Sequence, residues 1–362
     1  MANREKLLLD IDELLNKAVA DGAFPGATYA VVTKDKAYFG CVGNKENFPE
    51  AIKNDLDTIY DMASLTKVTS TTPSILRLLD EGKIRLYDPV KYYLPRFKHD
   101  NITLWNLLTH TSGLPEGIYG RKDNLSPSEV WDKIYEVDLL FKPGERIVYS
   151  DINFILLGEI VKIVSGMPLD EYAAKYVFGP LKMKDTGFNP LDKERCAATE
   201  YRDDLSYHGY VKGYVHDETS FALGGVSGHA GLFSTVKDMS RYLRMYLNDG
   251  QLDGERILSK TMIELVYKVQ VQEFEGLNKT PVRARYLGFQ AKETNSNGGD
   301  LISEKTILHT GFTGTNLFID KEHGIGFVML TNRVHPTRQN SKHLRVRACV
   351  ANLLMSRYEE LL

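Results

Sequence analysis

Apolar residues recur along the first part of the chain with two different periods. The first set has the three- and four-residue spacing of one helix face, and its members are Leu8, Ile11, Leu14 and Leu15. This spacing predicts an amphipathic helix over residues 5–20. Two mainly apolar runs follow, residues 27–33 and 37–42, separated by three charged residues. Together they predict a β-hairpin.

The rest of the chain changes from helical to extended patterning. Up to about residue 268 the pattern is mainly helical, with loops rich in Gly, Pro and Asp. Strand patterns return over residues 286–290 and continue through residues 306–330. A final helix is predicted over residues 342–358, where it can pack on the sheet.

These segments predict an α+β fold. At 362 residues the chain exceeds the usual size of one hydrophobic core, so we expect two closely packed lobes. The strands at the two ends of the chain would form one antiparallel sheet, flanked by the N- and C-terminal helices, with a mainly helical lobe inserted between them. The expected boundaries are residues 1–60 and 285–362 for the sheet lobe and residues 61–284 for the helical lobe.

Charge and cysteine content narrow the class of protein. Lys and Arg number 45 against 48 for Asp and Glu, and neither sign forms long runs, which argues against a nucleic-acid partner. No apolar stretch has the length of a signal peptide core or a transmembrane span, so we expect no membrane partner. The three cysteines, Cys41, Cys196 and Cys349, are an odd number that fits a reducing compartment. We therefore expect a cytoplasmic protein.

The most informative chemistry lies in Ser64-Leu65-Thr66-Lys67, where a helix is predicted to begin. Residues three apart share a helix face, so the lysine amine can reach the serine hydroxyl. A serine needs a neighbouring base, and a lysine held among apolar residues can have its pKa lowered enough to serve. Pro73 lies inside this helix and should kink it or free a backbone carbonyl, which nearby Thr and Ser hydroxyls could satisfy.

A serine and a lysine at this spacing also occur by chance, but two later motifs strengthen the case for Ser64. They are Tyr149-Ser150-Asp151 and His309-Thr310-Gly311. The first precedes an apolar helical run over residues 152–164, which places Tyr149 near the N-terminal end of that helix. The second ends a short apolar strand and is followed by another strand pattern.

In this order the three motifs resemble the serine β-lactamase-like superfamily, closest to its class C β-lactamase, D,D-peptidase and esterase branch. That family carries Ser-x-x-Lys, Tyr-x-Asn, and Lys-Thr-Gly or a variant. Residues 107–115 and 231–235 match its pattern too, and the resemblance covers about residues 20–335.

The resemblance implies acyl transfer through a covalent intermediate on Ser64. Lys67 and Tyr149 would share the proton transfer, and the backbone N–H groups of Ser64 and Phe312 would form the oxyanion hole. The expected substrate-binding residues are Asp151, His309, Thr310, Gly311 and Arg333.

Two positions depart from the family's pattern. Asp151 replaces the usual asparagine, so a carboxylate stands where an amide donor is expected. His309 replaces the lysine of β-lactamases. A lysine stays charged at neutral pH, whereas an imidazole begins to gain its charge near pH 6. Both changes argue against β-lactam hydrolysis.

Other polar clusters leave alternatives open. His216-Asp217-Glu218 and His229 could bind a metal, but their spacing matches no common zinc motif, and hydrogen bonding within loops is favoured. We expect no metal and no cofactor. Arg333, His335 and Arg338 could bind a substrate carboxylate or phosphate, or form surface salt bridges. His110 is expected to make a structural hydrogen bond.

The leading hypothesis is a cytoplasmic serine hydrolase that acts on an ester or amide of a small molecule, with a cell-wall-derived peptide as one candidate. One alternative is a D,D-peptidase or β-lactamase, which would require export. The other is a non-catalytic scaffold or binding protein. The sequence names neither the substrate nor the oligomeric state.

Overall fold

The computed structural model describes residues 2–118, 125–204, 207–277 and 279–362. The α-helices are α1 (Ala2–Ala20), α2 (Thr72–Asp80), α3 (Val90–Tyr93), α4 (Leu104–Leu108), α5 (Pro127–Glu136), α6 (Asp151–Ser165), α7 (Leu169–Ala173), α8 (Glu218–Ala222), α9 (Val236–Leu247), α10 (Lys260–Val266) and α11 (His343–Met355). There are π-helical turns at Lys67–Thr71 and Ala174–Phe178, and 3₁₀ turns at Lys193–Arg195 and Tyr358–Leu361.

The strands are β1 (Gly26–Val32), β2 (Ala37–Glu46), β3 (Ile52–Lys53), β4 (Tyr60–Asp61), β5 (Gly187–Phe188), β6 (Tyr201–Asp203), β7 (His208–Tyr210), β8 (Leu232–Ser234), β9 (Gln251–Leu252), β10 (Glu255–Arg256), β11 (Val271–Glu273), β12 (Arg283–Arg285), β13 (Thr306–Thr310), β14 (Asn316–Asp320) and β15 (Ile325–Thr331). The main sheet has the order β13-β14-β15-β1-β2-β3, with antiparallel pairing throughout. Its strands come from both ends of the chain, so the predicted α+β architecture is confirmed.

The centre of this sheet is covered on both faces. Every residue of β1 and of β15 is buried, and their sequences are apolar except at Thr28 and Thr331 rather than alternating, as expected for strands covered on both faces. On one face, α1 and α11 pack on side chains that include Tyr29 and Phe327. On the other face, α9 packs on β1 and β15 and joins the larger core of the helical region. The sheet is thus a rigid base for the loops at the ends of its strands.

The predicted elements agree with the structure at both ends of the chain and less well near residue 290. The N-terminal helix, the hairpin of β1 and β2, and the C-terminal helix all form. The strand expected over residues 286–290 does not. Instead β12 ends at Arg285, and Gln290 makes isolated bridges to Arg285 and Leu308.

Pro73 alters the helix that carries the Ser-x-x-Lys motif, as the sequence suggested, but through a different partner. The segment before it widens into the π-helical turn Lys67–Thr71. Pro73 has no N–H to offer the Val68 carbonyl five residues earlier, and the Tyr242 hydroxyl donates to that oxygen instead. A residue of α9 therefore completes the hydrogen bonding of the helix that carries Lys67.

Across the described ranges, no single helix combines the length and apolar character of a membrane span. The pair Asp151–Ser165 and Leu169–Phe178 meets those criteria only jointly and is bent by 74°.

Candidate active site

Ser64 is placed by a sharp turn between β4 and the helix that follows. Ala63 adopts a left-handed conformation with φ of 46°, which is strained for a residue with a side chain. The Asp61 carboxylate supports this turn, because it accepts the Ala63 N–H at 2.8 Å and the His216 N–H at 2.7 Å. Ser64 stays partly exposed, whereas Leu65 behind it is buried.

Lys67 is completely buried, and its ammonium group has three hydrogen-bond acceptors. Nζ lies 2.9 Å from Ser64 Oγ, 2.8 Å from Asp151 Oδ1 and 3.1 Å from the His229 carbonyl. An ammonium group has three N–H donors, so each one is satisfied. The spacing argument from the sequence, that Lys67 reaches Ser64, is confirmed.

The charge of Lys67 differs from the sequence-based expectation. Burial lowers the pKa of Lys67, but the Asp151 carboxylate and the Tyr149 phenol together raise it by more, so its pKa lies above the ordinary value. Apolar surroundings alone would predict a lowered pKa for Lys67. In the resting protein Lys67 is therefore an ammonium ion that donates to Ser64.

Tyr149 is clamped over Lys67 by His110. The His110 carbonyl accepts the Val148 N–H at 2.8 Å, and His110 Nδ1 accepts the Ser150 N–H at 3.1 Å. Both neighbours of Tyr149 are thereby fixed, and the two aromatic rings lie 4.7 Å apart. Burial raises the pKa of Tyr149, although Lys67, 4.9 Å from the ring centroid, opposes this. The predicted structural hydrogen bond of His110 is confirmed, and it acts on a catalytic candidate.

The loop after β13 is tied to the backbone just before Ser64. Thr313 Oγ1 donates to the Asp61 carbonyl at 2.8 Å, and Thr315 Oγ1 donates to the Met62 carbonyl at 3.1 Å. Gly311 is required at this close approach, since a Cβ there would lie 2.1 Å from Thr315 Oγ1 and 2.6 Å from the Met62 oxygen.

This attachment brings Phe312 to the cavity that contains Ser64. Among the described residues, no acceptor takes the backbone N–H of either Ser64 or Phe312. Two N–H groups of this kind are what an oxyanion hole requires. Their role remains a prediction.

His309 is almost fully buried on β13, at 3% exposure, and its Nδ1 lies 2.9 Å from the Thr310 carbonyl. Burial lowers the pKa of His309 to about 3, and the positive charge of Lys67 acts in the same direction. The unperturbed pKa of imidazole predicts that this ring begins to charge near pH 6. The structure contradicts that expectation, because the imidazole stays neutral throughout the neutral range.

Arg333 lies beneath Phe312 rather than in the cavity. Its Nε donates to the Phe312 carbonyl at 2.8 Å, and one terminal nitrogen donates to the carbonyls of Arg338 and Asn340 at 2.7 and 2.8 Å. The guanidinium carbon lies 4.4 Å from the Phe312 ring centroid. These contacts stabilise the loop that carries Phe312, and carboxylate binding by Arg333 remains a prediction that they do not support.

The cavity has a volume of about 250 Å³. It is lined by Ala63, Ser64, Glu116, Tyr149, Asp151, His216, Asp217, Glu218, His229, Ala230, Phe312 and Arg338. Four predicted site residues therefore meet here, and Lys67 contacts Ser64 from the buried side. His309, Thr310, Gly311 and Arg333 are not among the described lining residues. Glu116 lines the cavity but was not predicted from the sequence. The one signal that could have indicated it is its position directly after the family-like segment 107–115.

The polar cluster beside Asp151 is joined by hydrogen bonds within the chain. His229 Nε2 lies 2.8 Å from Asp217 Oδ1, and its Nδ1 lies 2.9 Å from Ser227 Oγ. His216 Nε2 lies 3.0 Å from Glu200 Oε2. Side-chain atoms of Asp151, Asp217 and His229 lie within 4.8 Å of one another, a spacing that would admit a metal ion. We assign no metal ligands, because His229 Nε2 already faces a carboxylate and Lys67 already pairs with Asp151.

Comparisons with known proteins identify the family of the chain. The Beta-lactamase family model matches residues 11–352. The chain is 33% identical over 371 residues to an N-acetylmuramyl-L-alanine amidase of Bacillus subtilis (strain 168), with 91% of this chain and 82% of that protein covered. It is 32% identical over 326 residues to a putative D-alanyl-D-alanine carboxypeptidase of Salmonella schwarzengrund (strain CVM19633), with 80% and 73% covered.

Solved structures show the same fold. The octameric penicillin-binding protein homologue from Pyrococcus abyssi superposes with a TM-score of 0.75 at 23% identity, covering 96% of this chain and 77% of that one. EstCE1, described as a hydrolase with promiscuous acyltransferase activity, superposes with a TM-score of 0.78 at 20% identity, covering 97% and 100%.

A fold of this kind, with a serine, a lysine and a tyrosine gathered at one cavity, defines a serine hydrolase. The chain belongs to the beta-lactamase family, and it is an enzyme of the acyl-enzyme type that the family resemblance implied.

Proposed function

We propose that this enzyme is an amidase that cleaves a small cell-wall-derived substrate through an acyl-enzyme on Ser64. The observation that carries the proposal is the 2.9 Å contact between Ser64 Oγ and Lys67 Nζ at the edge of a cavity. The amidase and carboxypeptidase relatives support an amide substrate from the cell wall, because the similarity spans most of each protein.

In the proposed reaction, the Lys67 and Tyr149 pair first loses one proton to solvent, and Ser64 Oγ then attacks the substrate carbonyl as its own proton passes to the pair. The oxygen that becomes negative accepts the two backbone N–H groups of Ser64 and Phe312, an interaction typically worth about 3 kcal/mol in the transition state. The pair then protonates the leaving amine. Water hydrolyses the resulting ester on Ser64 and restores the enzyme.

The size and charge of the site support a small substrate. Pockets that enclose drug-sized ligands hold roughly 300–1,000 Å³. The cavity of about 250 Å³ lies below that range, which favours a small substrate. His309, at the third motif, is neutral, and β-lactamases place a positive lysine there. A D,D-peptidase substrate ends in a carboxylate. His309 lies outside the described cavity lining, and Arg338, the one arginine of that lining, is paired with Glu200 and Glu218, so we favour an internal amide.

An esterase is the second candidate, because an uncharged ester likewise needs no unpaired cation in the cavity lining. Both candidates can be tested with purified protein on N-acetylmuramyl-L-alanine amide, in which no carboxylate adjoins the scissile bond, an N-acetylated D-alanyl-D-alanine peptide and p-nitrophenyl acetate. We expect the muramyl amide to have the highest kcat/KM, and Ser64→Ala to abolish its turnover. Ser356→Ala, a serine at the end of α11, is the matched control.

Preferred turnover of the D-alanyl-D-alanine peptide would contradict the amidase proposal and leave the serine mechanism in place. Equal turnover by Ser64→Ala would contradict both. Preference for the ester with no amide turnover would favour the second candidate.

We also propose that the enzyme acts in the cytoplasm on imported wall fragments. Cys41, Cys196 and Cys349 are all unpaired, which suits a reducing compartment. Fractionation of the native cells with an antibody to the enzyme tests this, and recovery outside the cytoplasmic fraction would contradict it.

A further inference from the structure

Asp151 makes a contact that its predicted role in substrate binding does not explain. It is the first residue of α6, and its N–H donates to the Glu116 carbonyl at 2.8 Å, which fixes its backbone. Its Oδ1 lies 2.8 Å from Lys67 Nζ. The Lys67 side chain is wholly buried and that of Asp151 is 17% exposed, so solvent screens this ion pair weakly.

The other described groups near Lys67 do not supply a second carboxylate in direct contact. Lys67 Nζ lies 4.9 Å from the centroid of the Tyr149 ring, and that ring contacts the rings of His110 and His309. Burial lowers the pKa of both histidines well below the ordinary value. The His229 carbonyl accepts from Lys67, and the His229 ring is turned to Asp217.

We propose that Asp151 is a positioning residue of the proton-transfer pair rather than a substrate-binding residue, and that its carboxylate keeps Lys67 charged and directed at Ser64 Oγ. This inference rests on the acyl-enzyme function proposed above. It gives a role, pairing with Lys67, to the aspartate that stands where the family usually has asparagine.

The consequence is an enzyme that gains activity as pH rises. The Ser64 proton must move to the Lys67 and Tyr149 pair, and the pair accepts a proton only after it has lost one. The Asp151 carboxylate raises the pKa of Lys67 and also that of Tyr149. Whichever of the two takes the proton, Asp151 therefore moves the rising limb of kcat/KM to higher pH.

Asp151→Asn tests this with the least disturbance, because the amide oxygen still accepts from Lys67 while the charge is lost. We expect the rising limb of kcat/KM to move to lower pH by about 1–3 units, the range over which one contacting charge shifts a pKa. KM should change less than about threefold, since the substrate does not depend on this carboxylate. Asp151→Glu should restore the wild-type limb in part.

The matched control is Glu159→Gln on the same helix, which removes a carboxylate 2.9 Å from Lys162 and should leave the pH profile of kcat/KM unchanged.

A higher KM for Asp151→Asn, with no movement of the rising limb of kcat/KM, would overturn the inference and assign Asp151 to substrate binding. Thermal melting checks that each variant is folded. If Ser64→Ala is inactive while the limb does not move, only the inference fails. If Ser64→Ala stays active, the proposed function fails first.

Discussion

Replacing His309 by glutamine should make the protein less sensitive to acid. The unfolded chain binds a proton on this imidazole at about pH 6.5, whereas the folded protein does so only at about pH 3. The folded-state pKa is the lower one, so the unfolded state binds more protons as pH falls below 7. The His309 contribution to the free energy of unfolding therefore decreases on acidification.

The size of this effect follows from the two pKa values. Between pH 7 and pH 5, the difference between the folded and unfolded pKa values of His309 lowers the free energy of unfolding by about 2 kcal/mol. His309→Gln removes that component, so wild type should lose about 2 kcal/mol more than the variant over this range. Urea unfolding at pH 7, 6 and 5, followed by tryptophan fluorescence, measures the difference.

Equal losses for wild type and variant would refute the reasoning, because they would mean that His309 titrates alike in both states. A direct check is the imidazole chemical shift of His309 by NMR, which should stay constant from pH 8 to pH 5. A neutral His309 also means that KM for an anionic substrate should not fall between pH 7 and pH 6 through this residue.

Two other substitutions test the support around the catalytic residues. Tyr242→Phe leaves the buried Val68 carbonyl without its donor, so the free energy of unfolding should fall by about 1–3 kcal/mol in urea titrations, and no change would mean that the carbonyl finds another partner. His110→Phe keeps the ring against Tyr149 but removes the acceptor of the Ser150 N–H. It should lower kcat more than tenfold with little change in KM, because a shift of a catalytic group such as Tyr149 by about 1 Å has a cost of that order. A change in KM alone would contradict this positioning role.

Much of the fold could be predicted from local patterns. The largely apolar strands β1 and β15 indicate burial on both faces, and the helical stripe of α1 indicates one packed face. These signals lie within single segments, so a sequence without any alignment is enough. The strand predicted over residues 286–290 is wrong. The apolar side chains of this segment pack in the larger core, but its backbone makes only isolated bridges and does not add a strand to the sheet.

The candidate site was predictable where chemistry depends on spacing, and not where it depends on distant neighbours. Ser64 and Lys67 are three residues apart, so their contact follows from helix geometry. The pKa of Lys67 depends on Asp151, which is 84 positions away. The neutrality of His309 depends on burial, and Arg333 reaches the Phe312 carbonyl from a loop whose path no local pattern indicates.

The central claim is that Ser64 is the nucleophile, and intact-protein and peptide mass spectrometry after fluorophosphonate treatment tests it most directly. The account predicts one adduct per chain, located on the peptide that contains Ser64, and none on Ser64→Ala. Lys67→Ala should form the adduct much more slowly, because the serine then lacks its partner. An adduct on a different serine, or unchanged labelling of Ser64→Ala, would contradict the account.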